Sequence, residues 1–218
     1  MNSRTVYFNG QFVSEQEARV SIFDSALMYG DMVFDMTRTY RQKPFRLREH
    51  LERIYAGLKY LEIDCGLTLE EMENVTLETL DRNLPCLEGA DVQIMHDISR
   101  GPLPPYKSVF KGKLQPTISI NCWPLWWNLA VDAPLYRTGV HSIITAQQSV
   151  PAYLIDPKVK NRSRVFYQMA NFQAHKVDPQ GFPLLTDDRG IITEGSGSNF
   201  FILRHGKVLT PRGHNILL

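Results

Sequence analysis

Cysteine is scarce: Cys65, Cys86 and Cys122 are the only three in 218 residues, and no two form a C-x-x-C pair. An odd, unpatterned set of this kind excludes a disulfide framework and gives no structural zinc site. The expectation is a reducing, cytoplasmic setting and no metal centre. An excess of one charge is missing as well, with 24 Lys+Arg against 23 Asp+Glu. That balance lacks the basic stripe on which nucleic-acid or anionic-membrane binding depends. Long hydrophobic runs are absent too. The most apolar stretch, residues 123–131, is far too short to span a bilayer, and residues 1–5 hold no apolar signal core. Neither a membrane nor a nucleic acid is expected as a partner. There is no internal repeat and no low-complexity tract. What remains is 43% hydrophobic, enough to bury the core of one large domain or two small ones. The chain ends on Ile216-Leu217-Leu218, an apolar run that reads as the middle of an element.

Residues 6–13 read as a hairpin, with Asn9-Gly10 supplying the positive φ angles of a type I′ turn. Residues 33–40 and 44–47 read as strands around the polar turn Arg41-Gln42-Lys43. Leu47, Leu51, Ile54, Tyr55, Leu58 and Leu61 recur at helical spacing. Thr68-Leu69-Glu70-Glu71 is a capping box that opens a second helix, with Met72, Val75 and Leu80 on its buried side. Strands are expected at 92–99 and 117–122, separated by a loop at 101–105. A further strand at 140–146 leads through a proline-containing loop to a helix at about 164–176. The remainder is β-rich, at 184–186, 191–193 and 199–203, turning at His205-Gly206 into 207–210. Helices early and strands late predict an α+β chain of two lobes, 1–125 and 126–218, with a hinge in the Trp/Pro-rich residues 123–134.

Two stretches carry chemistry. In Thr193-Glu194-Gly195-Ser196-Gly197-Ser198-Asn199, small residues crowd around one carboxylate, and the glycines let backbone come close to something. Such a carboxylate pairs with a cationic ring nitrogen or a metal, or simply caps a turn. The second stretch is Val159-Lys160-Asn161, just before the helix at Arg164. A lysine at an element boundary suits a Schiff-base role if burial or nearby cations lower its pKa. Lys158 is its rival and shares its face in an extended segment. Periodicity does not choose between them.

Lys160, residues 193–199 and the continuation Asn199-Phe200-Phe201-Ile202 with Gly206-Lys207-Val208-Leu209-Thr210-Pro211 resemble the class IV aminotransferases. These are pyridoxal-phosphate (PLP) enzymes of fold type IV, among them branched-chain and D-amino-acid aminotransferases and aminodeoxychorismate lyase. The N-terminal half resembles the same family, in Phe23-Asp24-Ser25-Ala26-Leu27-Met28-Tyr29-Gly30-Asp31-Met32-Val33-Phe34 and in Phe45-Arg46-Leu47 followed by His50-Leu51-Glu52-Arg53. The resemblance runs from about residue 6 to the end. It implies a two-lobed fold with a small N-terminal α/β lobe and a larger β-rich C-terminal lobe that binds PLP.

The resemblance also implies roles. Lys160 matches the lysine that carries PLP and moves the substrate proton. Glu194 matches the carboxylate that holds the proton on the pyridine nitrogen, which keeps the ring an electron sink. Arg53 matches the arginine on the PLP phosphate; apart from the family, it reads as an exposed helix arginine paired with Glu49. The turn from Gly195 and Ser196 to Asn199 is expected to lie along the cofactor. For the substrate, Ile98-Ser99-Arg100-Gly101 resembles the D-amino-acid segment whose arginine holds the carboxylate. Phe34-Asp35-Met36-Thr37-Arg38-Thr39-Tyr40 is closer to the branched-chain pattern, with Arg38 as the alternative and Phe34 where D-specific enzymes have tyrosine. Either arginine otherwise reads as a surface charge. Asp35 stands where the family has glutamate. Val165 stands where branched-chain enzymes have a tyrosine, and neither Arg164 nor Tyr167 is an obvious substitute. The basic run Asn161-Arg162-Ser163-Arg164 lowers the lysine's pKa if it faces inward. Trp123, Trp126 and Trp127 read as hinge or dimer packing.

The implied function is transfer of an amino group from an amino acid, branched-chain or related apolar ones favoured, to a 2-oxo acid, by a homodimer. The alternatives are a D-amino-acid or (R)-amine transaminase, an aminodeoxychorismate lyase, and a cofactor-poor, non-catalytic homologue. Relatives continue past Asn215-Ile216-Leu217-Leu218 into a turn and helix N-terminus that hold the phosphate, so the chain is expected to be C-terminally incomplete.

Overall fold

Asn9 and Gly10 both take positive φ, 49° and 86°, so two residues suffice to return β1 (Thr5–Phe8) onto β2 (Gln11–Ser14) as the expected hairpin. The computed structural model describes residues 3–213 and 216. It divides the chain into two units, Met1–Asp132 with Lys160–Ser163, and Ala133–Val159 with Arg164–Leu218. Asn215, Leu217 and Leu218, on which the expectation about the chain's end rests, lie outside the described residues.

The first unit continues with α1 (Ser25–Tyr29), β3 (Met32–Tyr40), β4 (Lys43–Pro44), α2 (Leu47–Tyr60), α3 (Leu69–Asn83), β5 (Val92–Ser99), β6 (Thr117–Pro124) and α4 (Trp126–Asp132). Its six strands form one sheet in the order β2-β1-β6-β5-β3-β4, antiparallel at each named pairing. Strand pleating sends alternate side chains to opposite faces. Val33, Ile94, Ile98 and Ile120 are buried with Leu51, Ile54 and Leu58 of α2 and Met72 and Leu80 of α3 in one core. The helix periodicity read from Leu47 onward is thus the face that covers the sheet. The capping box also forms: the Thr68 hydroxyl accepts from the Glu71 amide, and the Glu71 carboxylate accepts from the Thr68 amide. Such a cap contributes about 1 kcal/mol.

Two local expectations change. The strand at 44–47 stops at Pro44, because Arg46 turns left-handed with φ 52° and Leu47 joins the apolar face of α2. The loop at 101–105 runs into a 3-10 turn, Pro104–Tyr106. A third gains structure without moving: residues 123–134, read as a hinge, hold α4 and the division of the two units at Asp132, and α5 (Leu135–Thr138) follows, both short helices without the periodicity that would have marked them.

Residues 160–163 lengthen the sheet edge. Asn161 bridges Val33 in antiparallel fashion, the Phe34 amide donates to the Lys160 carbonyl at 2.9 Å, and the Arg162 amide donates to the Met32 carbonyl at 3.1 Å. The Ser163 hydroxyl donates to the Tyr29 carbonyl at 2.8 Å. Gly30 allows this approach: its φ is +68°, and a Cβ there would sit 2.6 Å from the Ser163 hydroxyl and 3.0 Å from its backbone.

In the second unit, α5 is followed by β7 (Ser142–Gln148), α6 (Val165–Val177), β8 (Phe182–Thr186), β9 (Ile192–Gly195), β10 (Ile202–Arg204) and β11 (Lys207–Leu209). β7 and β8 run parallel and β9 antiparallel in a three-stranded sheet, while β10 and β11 form a separate hairpin at His205-Gly206. Ala170 and Ala174 of α6 are buried, as are Leu184 and Leu185 of β8. The fold is the mixed helix-and-sheet architecture expected. The six-stranded sheet and both long helices α2 and α3 belong to the first unit.

Candidate active site

The pairing of residues 160–162 with β3 decides where the lysine goes. Lys160 lies opposite Phe34, so both side chains leave the same face of the sheet edge, and Arg162, two residues on, shares it. The Lys160 ammonium is 4.9 Å from the centroid of the Phe34 ring, and the Arg162 guanidinium is 3.7 Å from it. Arg162 also donates to Asp97 at 2.9 and 3.2 Å, and lies 3.0 Å from the Met95 sulfur. Phe34 is buried, so it offers a fixed apolar floor to two cations. The rival Lys158 is exposed, outside this pairing, with its amide on the Asp156 carboxylate at 2.9 Å.

Arg53 departs from the helix-surface pairing. Glu49 pairs with Arg46 at 3.3 Å instead. Arg53 turns to the sheet and forks onto Asp35, with Nε donating to Oδ2 at 2.7 Å and Nη2 to Oδ1 at 2.8 Å. His50, one turn earlier on α2, meets the same carboxylate through Nδ1 at 3.0 Å, and the Met36 amide donates to it at 2.7 Å. Asp35 has a side chain only 1% exposed. Burial alone would raise its pKa, but the hydrogen bonds from His50 and Arg53 and their charge outweigh this and hold it at about 2.

Behind Asp35, its register partner His96 is completely buried. The Thr76 hydroxyl donates to the Met72 carbonyl at 2.6 Å and stands 2.8 Å from His96 Nε2. Thr76 therefore accepts from Nε2–H, and His96 Nδ1 keeps a lone pair without a hydrogen-bond partner. Burial pushes the His96 pKa down to about 4, so at neutral pH this ring carries no charge to offset Asp35. Arg53 supplies the opposite charge, and His50 adds a hydrogen-bonding contact.

A stability consequence follows. The folded-state pKa of Asp35 is below the ordinary 3.8, so its stabilisation is fully present above about pH 4. It is lost as the pH falls through the interval from about 4 to about 2, and amounts to about 2 kcal/mol. Urea unfolding at pH 7 and pH 3 is expected to show wild type losing about half of this increment and Asp35→Asn losing none of it. An equal pH dependence in both proteins would refute the assignment.

In the second unit, Glu194 lies on β9, within a strand and not in a turn as its neighbours suggested, and is buried. The Tyr167 hydroxyl of α6 donates to Glu194 Oε1 at 2.5 Å. Burial, then the Glu194 charge and this bond, push the Tyr167 phenol well above its usual range. Tyr167 is the residue sequence reasoning missed, because a contact between residues 27 apart leaves no local pattern. Val165, at the family's tyrosine position, is 75% exposed. Beyond Glu194 the strand closes on itself, the Gly195 amide donating to the Ser198 carbonyl at 2.8 Å. A Cβ on Gly195 would come within 2.5 Å of the Ser198 hydroxyl. Ser196 donates to the Asn171 side chain at 2.8 Å, and Asn199 is exposed.

The two substrate candidates differ. Arg100 gives Nε to Asp31 at 2.8 Å, Nη1 to the Glu62 carbonyl at 2.9 Å and Nη2 to the Leu61 carbonyl at 2.6 Å. Its fork is thereby engaged in stapling the C-terminal end of α2. Arg38 stacks at 4.1 Å over Tyr40, and the strand alternation gives it the same face as Phe34. Within the first unit, then, Lys160, Phe34 and Arg162 come together on one face, while Arg53 and Asp35 meet on the helix-covered face. No cluster of three or more His, Cys, Asp or Glu that would hold a metal occurs among the described residues. No helix among them is long and apolar enough to cross a membrane.

These features belong to a class of amino-group-transferring enzymes. Residues 32–218 match the amino-transferase class IV family, and the chain belongs to it. It is 36% identical over 217 residues to the putative branched-chain-amino-acid aminotransferase of Methanocaldococcus jannaschii, covering 98% of this chain and 70% of that one. It is also 32% identical over 214 residues to the D-alanine aminotransferase of Staphylococcus haemolyticus, covering 98% and 71%. Among solved structures it resembles the branched-chain aminotransferase of Thermoproteus uzoniensis with norvaline, with TM-score 0.82, 27% identity and coverage of 99% and 71%. A second is a T.th. branched-chain amino acid aminotransferase complexed with N-(5'-phosphopyridoxyl)-L-glutamate, with TM-score 0.81, 27% identity and coverage of 100% and 70%. Class IV aminotransferases use PLP and act on amino acids and 2-oxo acids.

Proposed function

We propose that this aminotransferase holds PLP through Lys160, Glu194 and Arg53, and passes the amino group of branched-chain or related apolar amino acids to a 2-oxo acid. A homodimer and a cytoplasmic location, implied by the family resemblance and by the cysteine usage, belong to the same proposal. The observation that carries it is the Lys160 amine, fixed by strand pairing over a buried aromatic floor. The donor set suits the cofactor chemically: an amine for its aldehyde, a buried carboxylate for its ring nitrogen, and a guanidinium for its phosphate. When bound, PLP supplies an electron sink for charge that develops at the substrate's α-carbon. Lys160 takes the proton from that α-carbon and returns a proton during transfer. Glu194, oriented by Tyr167, keeps a proton on the ring nitrogen. Arg53 binds the phosphate, and the small residues Gly195, Ser196 and Asn199 leave room for the cofactor.

Two observations favour apolar L-amino acids over D-amino acids. The relative at 36% identity carries a branched-chain name, and the fork of Arg100, the carboxylate candidate of the D-type pattern, is engaged with Asp31 and the end of α2. That leaves Arg38 and the Phe34 face for the substrate. A donor screen with L- and D-amino acids and (R)-amines tests the reading. We expect L-leucine, L-isoleucine or L-valine to exceed D-alanine by at least about tenfold in kcat/KM, a difference of about 1.4 kcal/mol. Preference for D-alanine or an (R)-amine would overturn it, as would pyruvate release without an acceptor.

A further inference from the structure

Asp35 is almost wholly buried, a carboxylate next to the core residue Val33 on the inward face of β3. Everything around it is arranged to satisfy that charge. Both oxygens accept from the Nε–Nη2 edge of Arg53, and one also meets His50 and the Met36 amide. Its register partner on β5, His96, is committed to Thr76 and contributes no charge. The beneficiary of this arrangement is Arg53, whose side chain is 30% exposed. A guanidinium is planar, so fixing its Nε–Nη2 edge by two parallel bonds fixes the directions of all its other N–H groups.

We infer that Asp35, braced by His50, is a positioning residue that sets the Arg53 fork for the cofactor phosphate. The inference rests on the proposed phosphate role of Arg53. Asp35 itself touches no phosphate. Its contribution is to order, before binding, a long side chain that would otherwise be ordered at the moment of binding. The repulsion Asp35 exerts on a phosphate is small beside this, because its charge is met by the fork, by His50 and by a backbone amide.

The test compares PLP with pyridoxal, which has the aldehyde and ring but no phosphate. The apoprotein of the whole chain is titrated with each, and the ratio of the two affinities reports the phosphate contact alone. Asp35→Asn is expected to reduce that ratio by about three- to tenfold, the effect of leaving one long side chain unordered, with pyridoxal affinity unchanged within about twofold. Asp35→Glu, which keeps a two-oxygen acceptor, is expected to retain most of the ratio. His50→Gln, on the more accessible side of the cluster, moves it in the same direction by a smaller factor and serves if Asp35→Asn does not fold. An unchanged ratio, an equal loss for both ligands, or tighter PLP binding in the Asp35→Asn and His50→Gln proteins overturns the inference. A wild-type ratio near one, or a ratio unchanged in Arg53→Gln, overturns the phosphate role of Arg53 and the inference with it. A ratio that falls in Arg53→Gln but not in Asp35→Asn overturns the inference alone.

Discussion

Lys160→Ala is expected to lower amino transfer by at least about 10⁴-fold, while leaving the fold intact. The size follows from two roles resting on one amine. Positioned proton transfer at the substrate's α-carbon is worth about 10²–10⁴ by itself, and the covalent hold on the cofactor is lost with the same atom. The fold survives because the pairing with β3 uses only the backbone of this segment: the Lys160 carbonyl, the Arg162 amide and the Asn161 bridge. The contact with Phe34 at 4.9 Å, which goes with the side chain, is worth about 0.5–1 kcal/mol at a part-exposed position. Lys158→Ala is the control, expected to transaminate at close to the wild-type rate, since Lys158 is exposed and outside the pairing. Steady-state turnover of both variants, with thermal unfolding alongside, checks the pair. Full turnover in Lys160→Ala would sink the assignment.

Glu194→Gln is expected to reduce kcat by about 10²–10³-fold, the range seen when one preorganised electrostatic partner is removed from a reacting centre. Glutamine is close in shape and its carbonyl still accepts from Tyr167, so the strand is undisturbed, and the loss reads the charge. Tyr167→Phe supplies the contrast. It removes the hydrogen bond of 2.5 Å to a buried carboxylate, which costs about 1.5–3 kcal/mol of stability, while the charge beside the ring nitrogen remains. A kcat reduced less than about tenfold is expected, well short of the Glu194→Gln loss. Measuring kcat and urea midpoints for the two variants separates these roles. A larger catalytic loss in Tyr167→Phe than in Glu194→Gln would contradict the ordering.

What was legible in the sequence was what short-range chemistry encodes. Asn9-Gly10 demanded a hairpin, Thr68 and Glu71 demanded a helix start, and the spacing from Leu47 to Leu58 marked the buried face of α2; all three stand in the structure. The motifs around Lys160 and Glu194 carried the family. Partnerships across long separations were not legible. Arg53 had an acid four residues away, and helix spacing alone made Glu49 its partner. The register of β3 against α2 instead brings Asp35, 18 residues away, under its fork. Tyr167 looked unconnected until α6 packed on the sheet carrying Glu194. Periodicity did not choose between Lys158 and Lys160; the family motif did, and the bridge from Val33 to Asn161 that sets Lys160 opposite Phe34 is one no local propensity announces. Arg100 was matched to a substrate clamp by the resemblance of residues 98–101 to the D-amino-acid segment; its bonds to Asp31 and to the end of α2 join distant parts of the chain and leave no local pattern.

The most direct test of the account is to reduce the PLP-loaded protein with borohydride, digest it and locate the phosphopyridoxyl group by mass spectrometry. The account predicts one modified lysine, Lys160, in the segment that pairs with β3. Modification at Lys158 or another lysine, or no modification of protein shown to contain PLP, would contradict it.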